Sequence, residues 1–252
     1  MAKVGLKAFG WIGIALTVIS IFVSLRQQKK LKNQKPSYTY GEGALQTSVS
    51  NTAPVPIIYG KMKVAGNMIY SRLSGDKKVI YKIIGLADGP IQKISELKLD
   101  DTDANSSKFE GVSYNFYLGN GTQAIDSRVE GGSQEVKAQK VGGLKNLAYI
   151  ALQAKANENL NGSFNTTCMV EGSIVKKYNN AEDLNDYVEE WTDNPAWCVL
   201  DFMTRFNGCG MDIEDIDVQS FIDAAKFFEE KNYTLNLCLD EQRSRLEWIQ
   251  YM

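Results

Sequence analysis

The chain has 252 residues, 44% of them hydrophobic, with a net charge of −2 and no histidine. That length and apolar content suit one large domain or two small ones. The missing histidine excludes Ser–His and Cys–His catalysis and imidazole metal sites. The small net charge hides an asymmetry, because residues 1–36 hold seven of the 28 Lys/Arg and no acid, leaving 21 bases against 30 acids in the rest. A body this acidic is not expected to bind nucleic acid.

Residues 8–25 (AFGWIGIALTVISIFVSL) run for eighteen positions without a charge, between Lys7 and Arg26. As a helix they are about 27 Å long, the thickness of a bilayer core. Trp11, Ile14, Val18 and Phe22 mark this helix, whose surroundings are either a membrane or the interior of an assembly. The run exceeds an ordinary signal-peptide core, and RQQKKLKNQK follows instead of a small-residue cleavage site. Gly10, Gly13, Ala15, Ser20 and Ser24 permit close helix packing in either setting. A basic linker reaches Pro36, and a polar, turn-rich arm runs from Ser37 to about residue 76.

Pro54 and Pro56 disfavour helix and suit an extended edge. Strands are predicted at Val64–Tyr70, Lys78–Leu86, Ile91–Leu99 and Val112–Leu118, with turns at Asp88-Gly89-Pro90 and Gly119-Asn120-Gly121. Further strands are predicted at Leu147–Ala154 and Thr166–Val175, while residues 101–107 and 155–165 read as polar loops. The pattern then turns helical. Asp193-Asn194-Pro195 offers an N-cap and a first-turn proline, and Ala196, Val199, Leu200, Met203 and Phe206 fall on one helical face. Gly208-Cys209-Gly210 stops this helix. A second helix spans Val218–Lys231 with Phe221, Ile222, Ala225 and Phe228 as its stripe. A strand over Thr234–Leu239 follows, and Asp240 is expected to cap a final helix.

The expected organisation is α+β. A hydrophobic helix and linker occupy 1–36, an extended arm 37–76, a mainly β, barrel-like domain 77–180, and a smaller α+β portion 181–252.

Chemistry is sparse. Cys168, Cys198, Cys209 and Cys238 contain no CxxC; Cys198 and Cys238 read as core residues, and the protein as one made in a reducing compartment. Asp101-x-Asp103 lacks the glycine and glutamate of a calcium loop. Glu189-Glu190 and Glu229-Glu230 read as solvated helix faces, and Trp191 and Trp197 as buried anchors rather than a sugar-stacking surface. Asn-x-Ser/Thr triplets begin at Asn105, Asn120, Asn161, Asn165 and Asn232, as chance produces in Asn-rich loops. The expectation is no enzyme, no cofactor and no metal.

Two sets of motifs resemble bacteriophage tail-tip families. Lys35–Gly41, Asn51-Thr-Ala-Pro-Val-Pro-Ile-Ile-Tyr-Gly60 and Val64-Ala-Gly66 resemble the C-terminal part of the lambda-type tail assembly protein I. Ile83–Ile91, Asn194–Thr204, Gly208-Cys-Gly-Met211, Ser220-Phe221, Leu235-Asn-Leu237 and Gln242-Arg243 resemble the N-terminal part of the lambda-type tail tip attachment protein J. The positions carrying the resemblance are Pro54, Pro56, Gly60, Asp88, Gly89, Pro90, Asn194, Pro195, Trp197 and Gly210. The resemblance implies a homotrimeric hub at the distal end of a phage tail. Its implied partners are the distal tail protein, neighbouring hub proteins and the tape measure protein. Joined to that resemblance, the uncharged run leads to the expectation that three copies of residues 8–25 pack at the tail axis and enter the host membrane during genome ejection. Receptor binding is not implied, because the family's receptor-binding modules have no counterpart in these residues. The competing expectation is a bitopic membrane-anchored protein with a β-rich domain.

Overall fold

The computed structural model describes residues 53–130, 144–157, 160 and 164–252 except 242, together with Thr47 and Val49. The hydrophobic helix with Trp11, Ile14, Val18 and Phe22, the basic linker and most of the arm to residue 52 lie outside the described residues.

Two antiparallel sheets stack face to face. The first has the order β3 (Asn67–Leu73), β4 (Val79–Asp88), β8 (Leu147–Lys155), β7 (Ser113–Leu118). The second is built on β9 (Thr166–Tyr178), with β5 (Ile91–Leu99) and then β6 (Thr102–Asp103) on one side. On the other side β2 (Lys61–Val64) pairs with the first half of β9, and β10 (Tyr187–Trp191) with the second half. Between the sheets lie Ile84, Leu86, Ile150 and Leu152 from one, and Val64, Ile94, Leu97, Leu99, Cys168 and Val170 from the other. β8 alternates weakly in sequence because both its faces are covered. Ala148, Ile150, Leu152 and Ala154 face the main core, while Tyr149 and Ala151 pack with Ile83 on the far side.

β5 shows how a bulge rescues an imperfect pattern. One extra residue between Ser95 and Lys98, with Glu96 at φ 50°, shifts the register so that Leu97 and Leu99 share the face of Ile94. The loop expected over 101–107 contains the short strand β6. Asp100 and Asp101, both at positive φ, make a two-residue hairpin turn between Leu99 and Thr102.

A second core joins the helices to the sheets. α2 (Pro195–Thr204) and α3 (Val218–Lys231) bury Trp197, Leu200, Phe202, Ile222 and Ala225 against Tyr59 and Val175. β1 (Ile57–Tyr59), near the start of the described chain, pairs antiparallel with β11 (Leu237–Leu239), near its end. A short helix, α1 (Ser127–Glu130), precedes residue 131, and α4 (Arg245–Tyr251) closes the chain with Trp248 buried. Thr47 is tied to the start of β9: its N–H and hydroxyl donate to Asn165 Oδ1, and its hydroxyl accepts from Thr166 N.

Four expectations need correction. Glu189 and Glu190 lie on a strand, β10, not on a helix face. Residues flanked by Val188 and Trp191 gain a ladder with β9 that no local period announces. Phe206 is not on the buried face of α2: the helix ends at Thr204, leaving Phe206 94% exposed, while Trp197, Cys198 and Phe202 are buried instead. That end comes four residues before Gly208. The final helix is capped by Ser244, not Asp240, through a capping box with Glu247.

Candidate functional site: a buried polar junction

Three of the stretches that carried the resemblance meet at one place. Pro54-Val55-Pro56 holds the chain extended into β1, and the Pro56 carbonyl accepts from Asp88 N at 2.8 Å. Asp88 ends β4, immediately before the cis Gly89–Pro90 bond that leads into β5. There Gly89 crosses Gly119 so closely that a Cβ would lie 2.6 Å from its Cα. Gly60, at φ +67°, turns β1 into β2 where a Cβ would lie 2.1 Å from the Leu235 carbonyl oxygen. Its own carbonyl accepts from Gly172 N at 2.8 Å and from the Trp191 indole at 3.3 Å.

Asp201 on α2 and Arg205, the residue that caps its C-terminus, stand four positions apart and face this junction. Tyr59 donates its hydroxyl to Asp201 Oδ2 at 2.6 Å, and Arg205 Nε donates to the same oxygen at 3.0 Å. Arg205 Nη1 reaches Asp88 Oδ2 at 3.0 Å, and Asn207 Nδ2 donates to that oxygen too, also at 3.0 Å. One guanidinium therefore bridges two carboxylates from distant parts of the chain. Tyr59 is fully buried, and the Asp201 and Arg205 side chains are only 16% and 13% exposed.

Burial pushes the Tyr59 phenol well above its ordinary range, and the adjacent Asp201 carboxylate adds to this. Burial also pushes Asp201 upward, opposed by Arg205 and by the hydrogen bond from Tyr59. Burial works against the Arg205 charge, but Asp201, Tyr59 and Asp88 together hold it charged. The acids, the cation and the phenol satisfy one another inside the fold. The arrangement fastens β1, β4 and α2 together rather than presenting a reactive group to solvent.

The remaining motif positions support α2. Asn194 is its N-cap, accepting from Ala196 N at 3.0 Å, and its Nδ2 donates to the Ala225 carbonyl of α3 at 2.9 Å. Pro195 occupies the first turn, where its missing N–H costs nothing. Trp197 is buried beneath α3. Gly210, at φ +63°, turns the chain back so that its N–H reaches the Arg205 carbonyl. Tyr59, Asp201, Arg205 and Asn207 were not singled out from sequence. The only signal for them is the i, i+4 spacing of Asp201 and Arg205.

A second buried acid, Asp126, accepts from Asn115, Tyr117 and Arg128 at 2.8–2.9 Å, closing the edge of the first sheet. Between β10 and α3 lies a groove of about 370 Å³, with Trp197 and Ile222 among its lining and the Lys177–Glu190 ion pair at its side. All four cysteines are free, and among the described residues no group of three or more Cys, Asp or Glu side chains is placed to hold a metal ion.

No protein-family model matches the chain. No curated protein matches it either. A solved structure described as "Virion of native gene transfer agent (GTA) particle" is similar at 19% identity and a TM-score of 0.44, over 56% of this chain and 31% of that one. The chain thus spans about a third of the length of the protein it matches there.

Proposed function

We propose that this chain is a structural protein of a bacteriophage tail tip, forming the central hub as a homotrimer. In this reading it closes the tail tube beside the distal tail protein, neighbouring hub proteins and the tape measure protein, and has no catalytic role. The observation that carries the reading is the junction. Asn51–Gly60, Ile83–Ile91 and Asn194–Thr204, stretches that resemble two tail-tip families, supply Tyr59, Asp88 and Asp201 to one hydrogen-bonded cluster around Arg205, which lies just outside the last of them. A cluster of this kind is suited to holding a rigid body in shape under load. The test is a reconstruction of purified particles: density for Ala44–Met252 repeated three times around the axis at the distal end of the tail is expected. Particles without this protein would overturn the proposal.

The uncharged run at 8–25 favours a second reading, a bitopic membrane protein with an acidic β-rich domain. Among the described residues no helix is long and apolar enough to cross a membrane. The run itself lies outside them. Retention in the membrane fraction after carbonate washing, in cells lacking assembled particles, is the result this reading expects.

A further inference from the structure

Asn-Gly occurs at Asn120, Asn161 and Asn207, and the first and last of these lie among the described residues. In this dipeptide the amide nitrogen after asparagine can reach the side-chain carbonyl, because glycine puts no Cβ in the way. The fold treats the two described copies in opposite ways. Asn120 is exposed in the turn that follows β7. Its Oδ1 accepts from Thr122 N and from Thr122 Oγ1, each at 3.2 Å. The ring closed by the Thr122 N–H contains both Asn120 Cγ and Gly121 N, so electrophile and nucleophile are folded towards each other. The two donors sit on the oxygen that gains negative charge when Cγ is attacked. Gly121, at φ +74°, has its N–H free of hydrogen bonds among the described residues.

Asn207 is exposed as well, but both of its reacting groups are occupied. Its Nδ2, the leaving group, donates to Asp88 Oδ2 at 3.0 Å. Gly208 N, the nucleophile, donates to the Arg205 carbonyl at 3.0 Å. Gly208 is also buried, and a Cβ there would lie 2.1 Å from the Phe202 carbonyl oxygen, so this backbone is packed in place.

We propose that Asn120 is a self-modifying site of the folded chain, and that the junction protects Asn207 from the same reaction. Gly121 N gives its proton to solvent and bonds to Asn120 Cγ. The Cγ–Nδ2 bond then breaks, and the side-chain amide nitrogen leaves as ammonia with a proton taken back from water. Water opens the resulting cyclic imide at either carbonyl, giving aspartate or isoaspartate at position 120. Aspartate adds a negative charge to the turn. Isoaspartate also adds an extra main-chain atom beside Gly119, whose Cα lies 2.6 Å from where a Cβ of Gly89 would stand. Gly89 follows Asp88, so the lengthened turn presses on the segment that brings one carboxylate to Arg205. The proposal does not depend on the hub reading.

The test follows both sites by peptide mapping and mass spectrometry while the full chain ages at mildly alkaline pH, folded in detergent micelles or unfolded in urea. Each site is compared with itself, which removes the effect of its sequence neighbours. Asn120 is expected to convert at least as fast in the folded chain as in urea. Asn207 is expected to convert at least about tenfold more slowly when folded, since misplacing reacting atoms by about 1 Å can cost about a hundredfold. Thr122→Val removes one donor from Asn120 Oδ1. It is expected to slow Asn120 about fivefold in the folded chain and to leave the rate in urea unchanged. Aged wild type rich in isoaspartate is expected to unfold at a lower temperature than Asn120→Asp, which carries the charge without the extra atom. Asn120 slower folded than in urea, Asn207 as fast as Asn120 in the folded chain, or Thr122→Val ageing at the wild-type rate would each overturn the proposed site. Equal unfolding temperatures would overturn its link to the junction.

Discussion

Arg205 is the residue on which the junction depends. Replacing it with Met leaves Asp201 and Asp88 facing each other without a cation, and removing one partner of a buried pair costs about 3–5 kcal/mol. Tyr59→Phe keeps the packing and removes one donor to a carboxylate, a loss of about 2 kcal/mol. Urea unfolding of the two variants should therefore rank Arg205→Met as the more damaging; the reverse order would mean that the phenol, not the guanidinium, holds Asp201. The thiols set a pH dependence. Burial pushes Cys168 and Cys238 up to about 12 and raises Cys198 as well. In the unfolded chain a thiol ionises near about 8.5, so above that pH the unfolded state binds fewer protons than the native one. Stability is then fully present below about pH 8.5 and falls as pH rises towards the folded values, by at most about 1.4 kcal/mol per pH unit per group. Tyr59 adds the same trend from about pH 10, with the same sign. Denaturant midpoints at rising pH should fall above pH ~9, and Cys168→Ala should flatten that slope. An identical slope in the variant would remove Cys168 from the account.

At the scale of elements, the sequence reading succeeded where a local rule decides. Asn194-Pro195 starts α2 and the apolar stripe of Val218–Lys231 becomes α3, as cap chemistry and helical period require. It failed where a distant partner decides. β10 is a strand because β9 extends to Tyr178 and offers an edge, and nothing within Tyr187–Trp191 says so. β6 exists because two aspartates accept a left-handed backbone. Phe206 matched the helical period of α2 but stands outside the helix, because the chain leaves it at Arg205 to reach Asp88. The junction was illegible for the same reason. Its hydrogen-bonded partners lie up to 142 residues apart, as Tyr59 and Asp201 do, and isolated charges carry no period. Asn194→Ala removes both the cap of α2 and its link to α3, so a loss of about 1–2 kcal/mol is expected in thermal unfolding. Asn194→Asp should recover the cap but not the donor to Ala225, and an Asp variant as stable as wild type would leave that link without weight.

At the scale of the whole molecule, the decisive contact is between strands from opposite ends of Ala44–Met252. β1 and β11 pair over three residues, and all of Ile57, Ile58 and Tyr59 are buried. Neither core is complete without them: Ile58 belongs to the core between the sheets, and Ile57 and Tyr59 to the one under the helices. Removing residues 232–252 should therefore not leave a folded β body. Circular dichroism with limited proteolysis is expected to find the truncated chain largely unfolded. A protease-resistant fragment containing β2 to β9 would mean that the two sheets stand without the closing strand.

That pairing also has a consequence for synthesis. On the ribosome Ile57 is made 182 residues before its partner Leu239. At roughly 5–20 residues per second, β1 waits about 9–36 seconds with its three apolar side chains unpaired. The nascent chain therefore carries these three side chains without their strand partner until β11 is made.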